Sequence, residues 1–332
     1  MRQVAYPLTG HNFNPLKDIV VITGGSNGLG KELVRLLKMR NARVAILDVV
    51  PLEEATADSN VRFYECDVSD VNQLLACHDQ ILKDFGAPTI LINNAGVNTA
   101  GTILETSFSA IENVIKINLL LSFYTTKIFL PEMLERKRGY IVTISSVLGY
   151  LSPTHFGAYG ASKSGLMAFH ESLTYEMGCP LLSTSGIKTL LVCPGQMDTE
   201  MFLNVRTPLN MLAPKLSLEA VAAKIIRALE TGARGELRLP LYTKLVPLLR
   251  AAPCCVVGLF RFVSQMDNLA KQSVEAQRAS PLNQIRGTEK LFPQVNIAVP
   301  ITINPELAVP ATPDIKTGAA SSTAVGNPTA SR

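Results

Sequence analysis

From Asp18 onward, short runs of β-branched and aliphatic residues alternate with longer stretches of helical periodicity, and this alternation restricts the possible folds more than any other feature. The apolar runs fall at residues 19–23, 43–48, 61–66, 89–93, 140–145, 187–193 and 236–239. Helical patterns fall between them at 29–39, 71–85, 108–135, 155–177 and 218–231. Strands separated by helices return to the same edge of a sheet and pair in parallel, and both faces are then covered by helices. The predicted fold class is α/β, a doubly wound parallel sheet in one domain over residues 18–240, with an N-terminal arm at 1–17 and an apolar C-terminal extension.

The extension, residues 241–279, holds five basic residues (Lys244, Arg250, Arg261, Lys271, Arg278) and two acidic ones (Asp267, Glu275). Its apolar stretch is interrupted by Lys244, Arg250 and Arg261, so it does not read as a transmembrane span, which needs about 20 largely uncharged residues. Prolines 247 and 253 break any long helix there. The segment reads either as lying on a membrane or lipid-droplet surface, or as a cap over a pocket or a dimer contact. From about residue 280, seven of the 20 prolines fall among 52 residues rich in Ala, Ser and Thr, and this tail is expected to be mostly disordered.

Charge and cysteine usage exclude several classes. Lys plus Arg (31) exceeds Asp plus Glu (27) by little and no run of five basic residues occurs, so nucleic acid is not an expected partner. The six cysteines (66, 77, 179, 193, 254, 255) form no Cys-x-x-Cys pair and have no His at metal spacing. They read as buried or reduced thiols with no metal site, Cys254-Cys255 also being open to acylation. The first residues contain no apolar run of secretory length, and a reducing, cytoplasmic compartment is expected.

The first apolar run leads straight into Thr23-Gly24-Gly25-Ser26-Asn27-Gly28-Leu29-Gly30, followed at once by a helix. In that setting Gly24 permits a tight turn, Gly28 lets backbone approach a pyrophosphate, and Gly30 lets helix and strand pack closely. A glycine-rich turn without a ligand is the plain alternative. A second feature favours a dinucleotide: the next strand ends in Asp48, 18 residues after Gly30, where a carboxylate accepts hydrogen bonds from a ribose 2′-hydroxyl. A 2′-phosphate about 4 Å from that carboxylate would cost on the order of 4 kcal/mol at an effective dielectric near 20, so NAD is expected over NADP. Asp48 as a simple strand-end carboxylate remains the alternative.

Tyr159 and Lys163 stand four apart in a helical pattern and therefore share one face. Ser146 ends an apolar strand thirteen residues before Tyr159, and Asn118 lies on the preceding helix. A carbonyl that accepts hydride needs a proton at its oxygen. A phenol with an ordinary pKa near 10 becomes a useful acid–base if a nearby ammonium lowers that value, so Lys163 is expected to activate Tyr159. Ser146 would hydrogen-bond the developing alkoxide.

These motifs resemble the short-chain dehydrogenase/reductases with a TGxxxGxG cradle and a YxxxK pair. The resemblance rests on Thr23 to Gly30, Asp67-Val68, Asn93-Asn94-Ala95-Gly96, Asn118, Ser146, Tyr159-x-x-x-Lys163 and Pro194-Gly195 with Thr199. It implies a Rossmann fold, an adenine flanked by Asp67 and Val68, and a cofactor groove lined by Asn94, Ala95 and Gly96. Asn118 would position a water in the proton relay and Lys163 would also hold the nicotinamide ribose. The segment 194–199 would contact the carboxamide, with Met197 where the family more often has a branched aliphatic residue. A homodimer through the two long helices is implied too.

Within the family, Thr125 to Met133, IVTISS and Gly186 to Gly195 look like the branch of retinol dehydrogenases and lipid-droplet hydroxysteroid dehydrogenases. A lipophilic alcohol is the expected substrate, with Ser146, Tyr159, Phe156, Met201 and Phe202 as its contacts, on the cytoplasmic side of the endoplasmic reticulum or a lipid droplet. The apolar residues after Thr199 read either as a lid or as core. Two alternatives stand beside this reading: an NADPH-dependent lipid ketone reductase such as a 3-ketosphinganine reductase, and a noncatalytic NAD-binding sensor or scaffold.

Overall fold

The computed structural model describes residues 12–52, 59–178, 185–198 and 215–279. Seven parallel strands form one sheet: β1 (Ile19–Thr23), β2 (Arg43–Asp48), β3 (Val61–Glu65), β4 (Ile90–Asn93), β5 (Gly139–Ile144), β6 (Ile187–Pro194) and β7 (Gly235–Leu239). Their order is β3-β2-β1-β4-β5-β6-β7. The connecting helices are α1 (Gly28–Lys38), α2 (Val71–Asp84), α3 (Phe108–Ile115), α4 (Leu121–Glu135), α5 (Gly157–Glu176) and α6 (Leu218–Thr231).

Alternate residues of each strand serve opposite faces. Val20, Ile22, Val44, Ile46, Ile90 and Ile92 pack with Leu33 and Leu37 of α1 and Val221, Ile225 and Leu229 of α6. Val21, Leu47, Leu91 and Ile141 pack on the other face with Leu74 and Ile81 of α2, Phe129 and Met133 of α4 and Leu173 of α5. Both faces are therefore covered, which is why the central strands read as nearly unbroken apolar runs, whereas the edge strands β3 and β7 carry charged residues. Phe108–Glu135 is long and apolar enough to cross a membrane by length and composition, yet Phe129 and Met133 are fully buried against the sheet, as a core helix requires.

One expectation needs correction and another holds. The run 108–135 is not one α-helix: a π-helical turn, Lys116–Leu120, separates α3 from α4. The extension after β7 forms a short 3-10 turn (Leu241–Lys244) and three helices, α7 (Val246–Ala251), α8 (Cys254–Ser264) and α9 (Met266–Ala279). Pro247 sits in the first turn of α7 and Pro253 caps α8, so no long helix forms across the prolines, as expected.

The edge of the sheet where strands begin is tied by a buried carboxylate. Asp18 Oδ1 accepts hydrogen bonds from Thr89 Oγ1 at 2.8 Å and from Arg138 Nε and Nη2 at 3.1 and 2.8 Å. Its Oδ2 accepts from Asn14 N at 2.7 Å. These residues lie just before β1, β4 and β5, so one side chain joins the central strands. We expect Asp18→Ala, which leaves a guanidinium and two neutral donors without their acceptor, to lose about 3–5 kcal/mol in denaturant unfolding.

Candidate active site

Strand order reverses at β1, whose neighbours are β2 and β4, and such a reversal opens a crevice where the strands end. Thr23, the last residue of β1, closes the base of that crevice. Its Oγ1 accepts Asn94 N and Ala95 N, both at 3.1 Å. Asn94 Nδ2 donates in return to Thr23 O at 3.0 Å and Gly24 O at 2.9 Å. The loop then turns at Gly24, whose φ of +66° is left-handed and favours glycine. At Gly30 a Cβ would overlap Gly24 O and stand 2.7 Å from Asn94 Nδ2, so only glycine lets α1 approach this closely.

The start of α1 suits a phosphate. Helices α2, α3 and α6 are capped by Asp70, Ser107 and Ser217, each accepting a backbone N–H. At α1, Asn27 makes no side-chain cap and the first turn holds no acid. Ser26 Oγ is buried without a hydrogen-bond partner among the described residues. Unpaired N–H groups at a helix start, a hydroxyl turned inward and close glycine packing fit the pyrophosphate of a dinucleotide.

Ser26 N donates to Asp48 Oδ2 at 3.0 Å, which fixes the carboxylate beside the cradle, and Asp48 Oδ1 accepts Val50 N at 3.2 Å. Each oxygen keeps a further lone pair for a ribose hydroxyl. Strand β3 leads to Asp67 and Val68 next door: Cys66 N donates to Asp48 O at 2.9 Å and Asp67 Oδ1 accepts Ser69 N at 2.9 Å. Val68 is buried in the core beneath.

The π-helical turn carries Asn118, which clamps the backbone of Val97. Oδ1 accepts Val97 N at 2.7 Å, and Nδ2 donates to Val97 O at 2.9 Å and to Ser162 Oγ at 3.1 Å. Ser162 Oγ donates to Tyr159 O at 2.7 Å, so Asn118 reaches the helix of the tyrosine directly. Lys163 Nζ donates to Ile144 O at 3.0 Å and lies 5.7 Å from the centre of the Tyr159 ring. Ser145 Oγ donates to Lys163 O at 2.9 Å, docking α5 on the end of β5. Ser146 accepts Leu148 N at 3.2 Å and hydrogen-bonds Tyr159. A Cβ at Gly96 would stand 3.4 Å from Asn118 Oδ1 and 3.6 Å from Lys163 Nζ, so the groove residue borders the same polar group.

The structure thus brings Asn118, Ser146, Tyr159 and Lys163 together, and adds Ser162, Ser145 and the Ile144 carbonyl, which the sequence reading missed. Ser162 had a signal: a serine beside Lys163, three residues after Tyr159 on the inner face of the helix. The carbonyl of Ile144 had none.

Burial dominates the electrostatics of the pair. Burial pushes the Tyr159 phenol up to about 12, opposed only by the hydrogen bond with Ser146. Burial also pulls Lys163 down to about 8. Burial dominates because Lys163 Nζ is bonded to Ile144 O and stands 5.7 Å from the ring centre, while desolvation acts on both side chains. At neutral pH the phenol is a proton donor held beside a cation.

The wall at 194–199 begins at the end of β6. Gly195 N donates to Leu239 O at 2.6 Å, Met197 pairs with Leu216 and packs against the core, and Asp198 is exposed. Thr199, Met201 and Phe202 lie outside the described residues. Phe156 is buried against Ala270 and Val274 of α9, so the extension covers the start of the helix that bears Tyr159. Cys66, Cys77 and Cys193 are buried, whereas Cys254 and Cys255 are exposed, and Cys179 lies outside the described residues. No cluster of three metal-ligating side chains occurs among the described residues.

Burial of Lys163 has a stability consequence of fixed sign. The folded lysine loses its proton near pH 8 and the unfolded one only near 10.5, so the unfolded state binds more protons between these values and wild-type stability rises there. Below pH 8 the cost is constant. Lys163→Met should therefore unfold at higher denaturant than wild type at pH 7, by about 2 kcal/mol, with the difference shrinking as pH passes from 8 to 10.5.

Comparison with known proteins agrees with this geometry. The short chain dehydrogenase family model matches residues 18–210. Uncharacterized oxidoreductase YDL114W of Saccharomyces cerevisiae is 35% identical over 262 residues, 77% of this chain and 84% of the relative. Retinol dehydrogenase 10-B of Xenopus laevis is 31% identical over 252 residues, 66% of this chain and 73% of that protein, in keeping with the resemblance to the retinol dehydrogenase branch. The solved structure of ElxO with NADP bound matches with a TM-score of 0.61 at 25% identity, over 69% of this chain and 99% of that one. The chain belongs to the short-chain dehydrogenase family, oxidoreductases that act on CH–OH groups with NAD(P).

Proposed function

We propose that this enzyme interconverts a lipophilic alcohol, of the retinoid, steroid or long-chain lipid class, and its carbonyl, using NAD(H). The reading is carried by the convergence of Ser146, Tyr159, Lys163 and Asn118 beside Gly96 at the ends of β4 and β5. The nicotinamide cofactor supplies or accepts the hydride. Thr23, Gly24, Ser26, Asn27, Gly28, Leu29, Gly30 and Asp48 would hold its pyrophosphate and ribose, Asp67 and Val68 its adenine, and Asn94 to Gly96 with Pro194, Gly195, Met197 and Thr199 the remaining wall.

Tyr159 passes its proton to the carbonyl oxygen in reduction and takes one back from the alcohol in oxidation. Ser146 donates to the same oxygen as charge develops on it. The Lys163 ammonium favours the phenolate once the proton has left, and Asn118 fixes the groove through Val97 and the tyrosine helix through Ser162. Because burial holds the phenol near 12, reduction is expected to vary little with pH between about 6 and 8 while oxidation climbs across that range.

Asp48 supports NAD over NADP, since its carboxylate stands at the cradle. The NADP held by ElxO favours the second reading, an NADPH-dependent lipid ketone reductase. The catalytic domain is assigned to residues 18–240, with 241–279 as the extension. A homodimer through the long helices α4 and α5 is the proposed assembly, with Phe123, 43% exposed and in a tilted ring contact with Phe169 at 4.1 Å, on the face it would cover. The cytoplasmic side of the endoplasmic reticulum or a lipid droplet is the proposed location, where such substrates concentrate.

Initial rates with NAD and NADP on retinoid, steroid and long-chain alcohols test this. Turnover should favour NAD, fall about 100-fold or more in Tyr159→Phe, and shift towards NADP by about tenfold or more in Asp48→Ser. Turnover confined to small polar alcohols would reject the substrate class, and preference for NADP by the wild type would select the second reading.

A further inference from the structure

Helix α8 is arranged inside out for a surface in water. Its single charged residue, Arg261, faces the protein: Nε and Nη2 bond Asp267 at 2.9 and 2.6 Å, and Nη1 donates to Ser152 O at 3.1 Å. The outward positions are apolar, with Leu259 64%, Phe262 74% and Val263 64% exposed. No residue of the helix is buried. Just upstream, Leu241, Leu245 and Leu248 form a second stripe spaced by single helical turns, each exposed by 65% or more. Contiguous exposed apolar surface of this kind marks an interaction site.

The charge around these side chains selects the occupant. No aspartate or glutamate occurs between Glu236 and Asp267, while Lys244 and Arg250 stand exposed. Arg250 Nη1 donates to Gly149 O and Ser164 Oγ, both at 3.0 Å and both neutral, so its charge stays available. A second copy of the same face would bring like charges together. Apolar side chains rimmed by cations match an anionic lipid surface. With 11 residues, α8 is about 16 Å long, too short to cross a hydrocarbon core of about 30 Å but long enough to lie on it.

We propose that α8 and the leucine stripe dock this enzyme on an anionic phospholipid surface, with the apolar side chains in the acyl boundary and Lys244 and Arg250 at the headgroups. The assignment rests on the reading of a membrane-associated enzyme and gives that reading its contact surface. Helix α9, which follows directly, packs on Phe156 at the start of the Tyr159 helix, so the docked face lies one helix away from the site a lipophilic substrate must enter.

Flotation of the full chain with phosphatidylcholine vesicles, with and without about one third phosphatidylserine, is the test, with NADH binding as the check that each variant is folded. Wild type should float with the anionic vesicles and be released by salt. Leu259→Asp with Phe262→Asp should cut binding about tenfold or more, and Lys244→Glu about fivefold. The proposal is overturned if wild type stays off anionic vesicles, if it binds neutral ones equally, or if the variants float as wild type does. A dimer seen by light scattering and lost in the double variant would assign the helix to a second copy instead. An enzyme that turns over retinol yet stays off the vesicles would remove this surface and leave the proposed reaction standing.

Discussion

The molecule depends on how two strands are joined where the sheet reverses direction. Parallel strands end together, and the neighbours of β1 leave it in opposite directions, so a crevice opens with no connection of its own to hold it. Thr23 and Asn94 supply that connection by exchanging hydrogen bonds in both senses, backbone N–H to hydroxyl and side-chain amide to carbonyl. The same amide reaches Gly24 O, and Gly30 lies against both. Strand end, turn and helix start are therefore one packed unit, and a phosphate bound there would meet groups already in place.

A second tie orders the catalytic side. The π-helical turn changes the phase between α3 and α4, and it carries Asn118, which bonds both Val97 and Ser162 while α4 packs Phe129 and Met133 on the sheet. Lys163 is held by a carbonyl and makes no ion pair among the described residues, so its charge is not neutralised beside Tyr159 and the groove. That arrangement costs folding energy, as the depressed lysine indicates, and a core methionine would be cheaper. Selection for stability alone would not place an ammonium there.

The central strands were legible because both of their faces are buried, so nearly every residue carries the same apolar signal; β1, β2 and α6 fall at the expected residues. Cradle, Asp48 and the Tyr159–Lys163 pair were legible because local spacing fixes them. The π-helical turn was not, because its residues continue the apolar pattern on either side. The start of α5 was misplaced by two residues: His155 takes a left-handed φ of +69° and Phe156 caps the helix, and neither residue type announces this. Ionisation was least legible. Spacing placed Lys163 beside Tyr159 but could not show that burial of both outweighs their attraction.

The extension, read from sequence as either a surface segment or a cap, has an unusual helical pattern. Helical periodicity is recognised when apolar residues face inward and charges outward, and α8 reverses that rule with Arg261 as its inward anchor. The ion pair with Asp267 at the start of α9 and the hydrogen bond to Ser152 O allow this charged side chain to be the part that packs. The outward face, with Leu259, Phe262 and Val263 exposed, is not part of the core among the described residues. Residues that contribute nothing to the core and lower solubility in water persist where another phase receives them, and a surface bearing lipid and anionic headgroups is the phase whose chemistry this face matches.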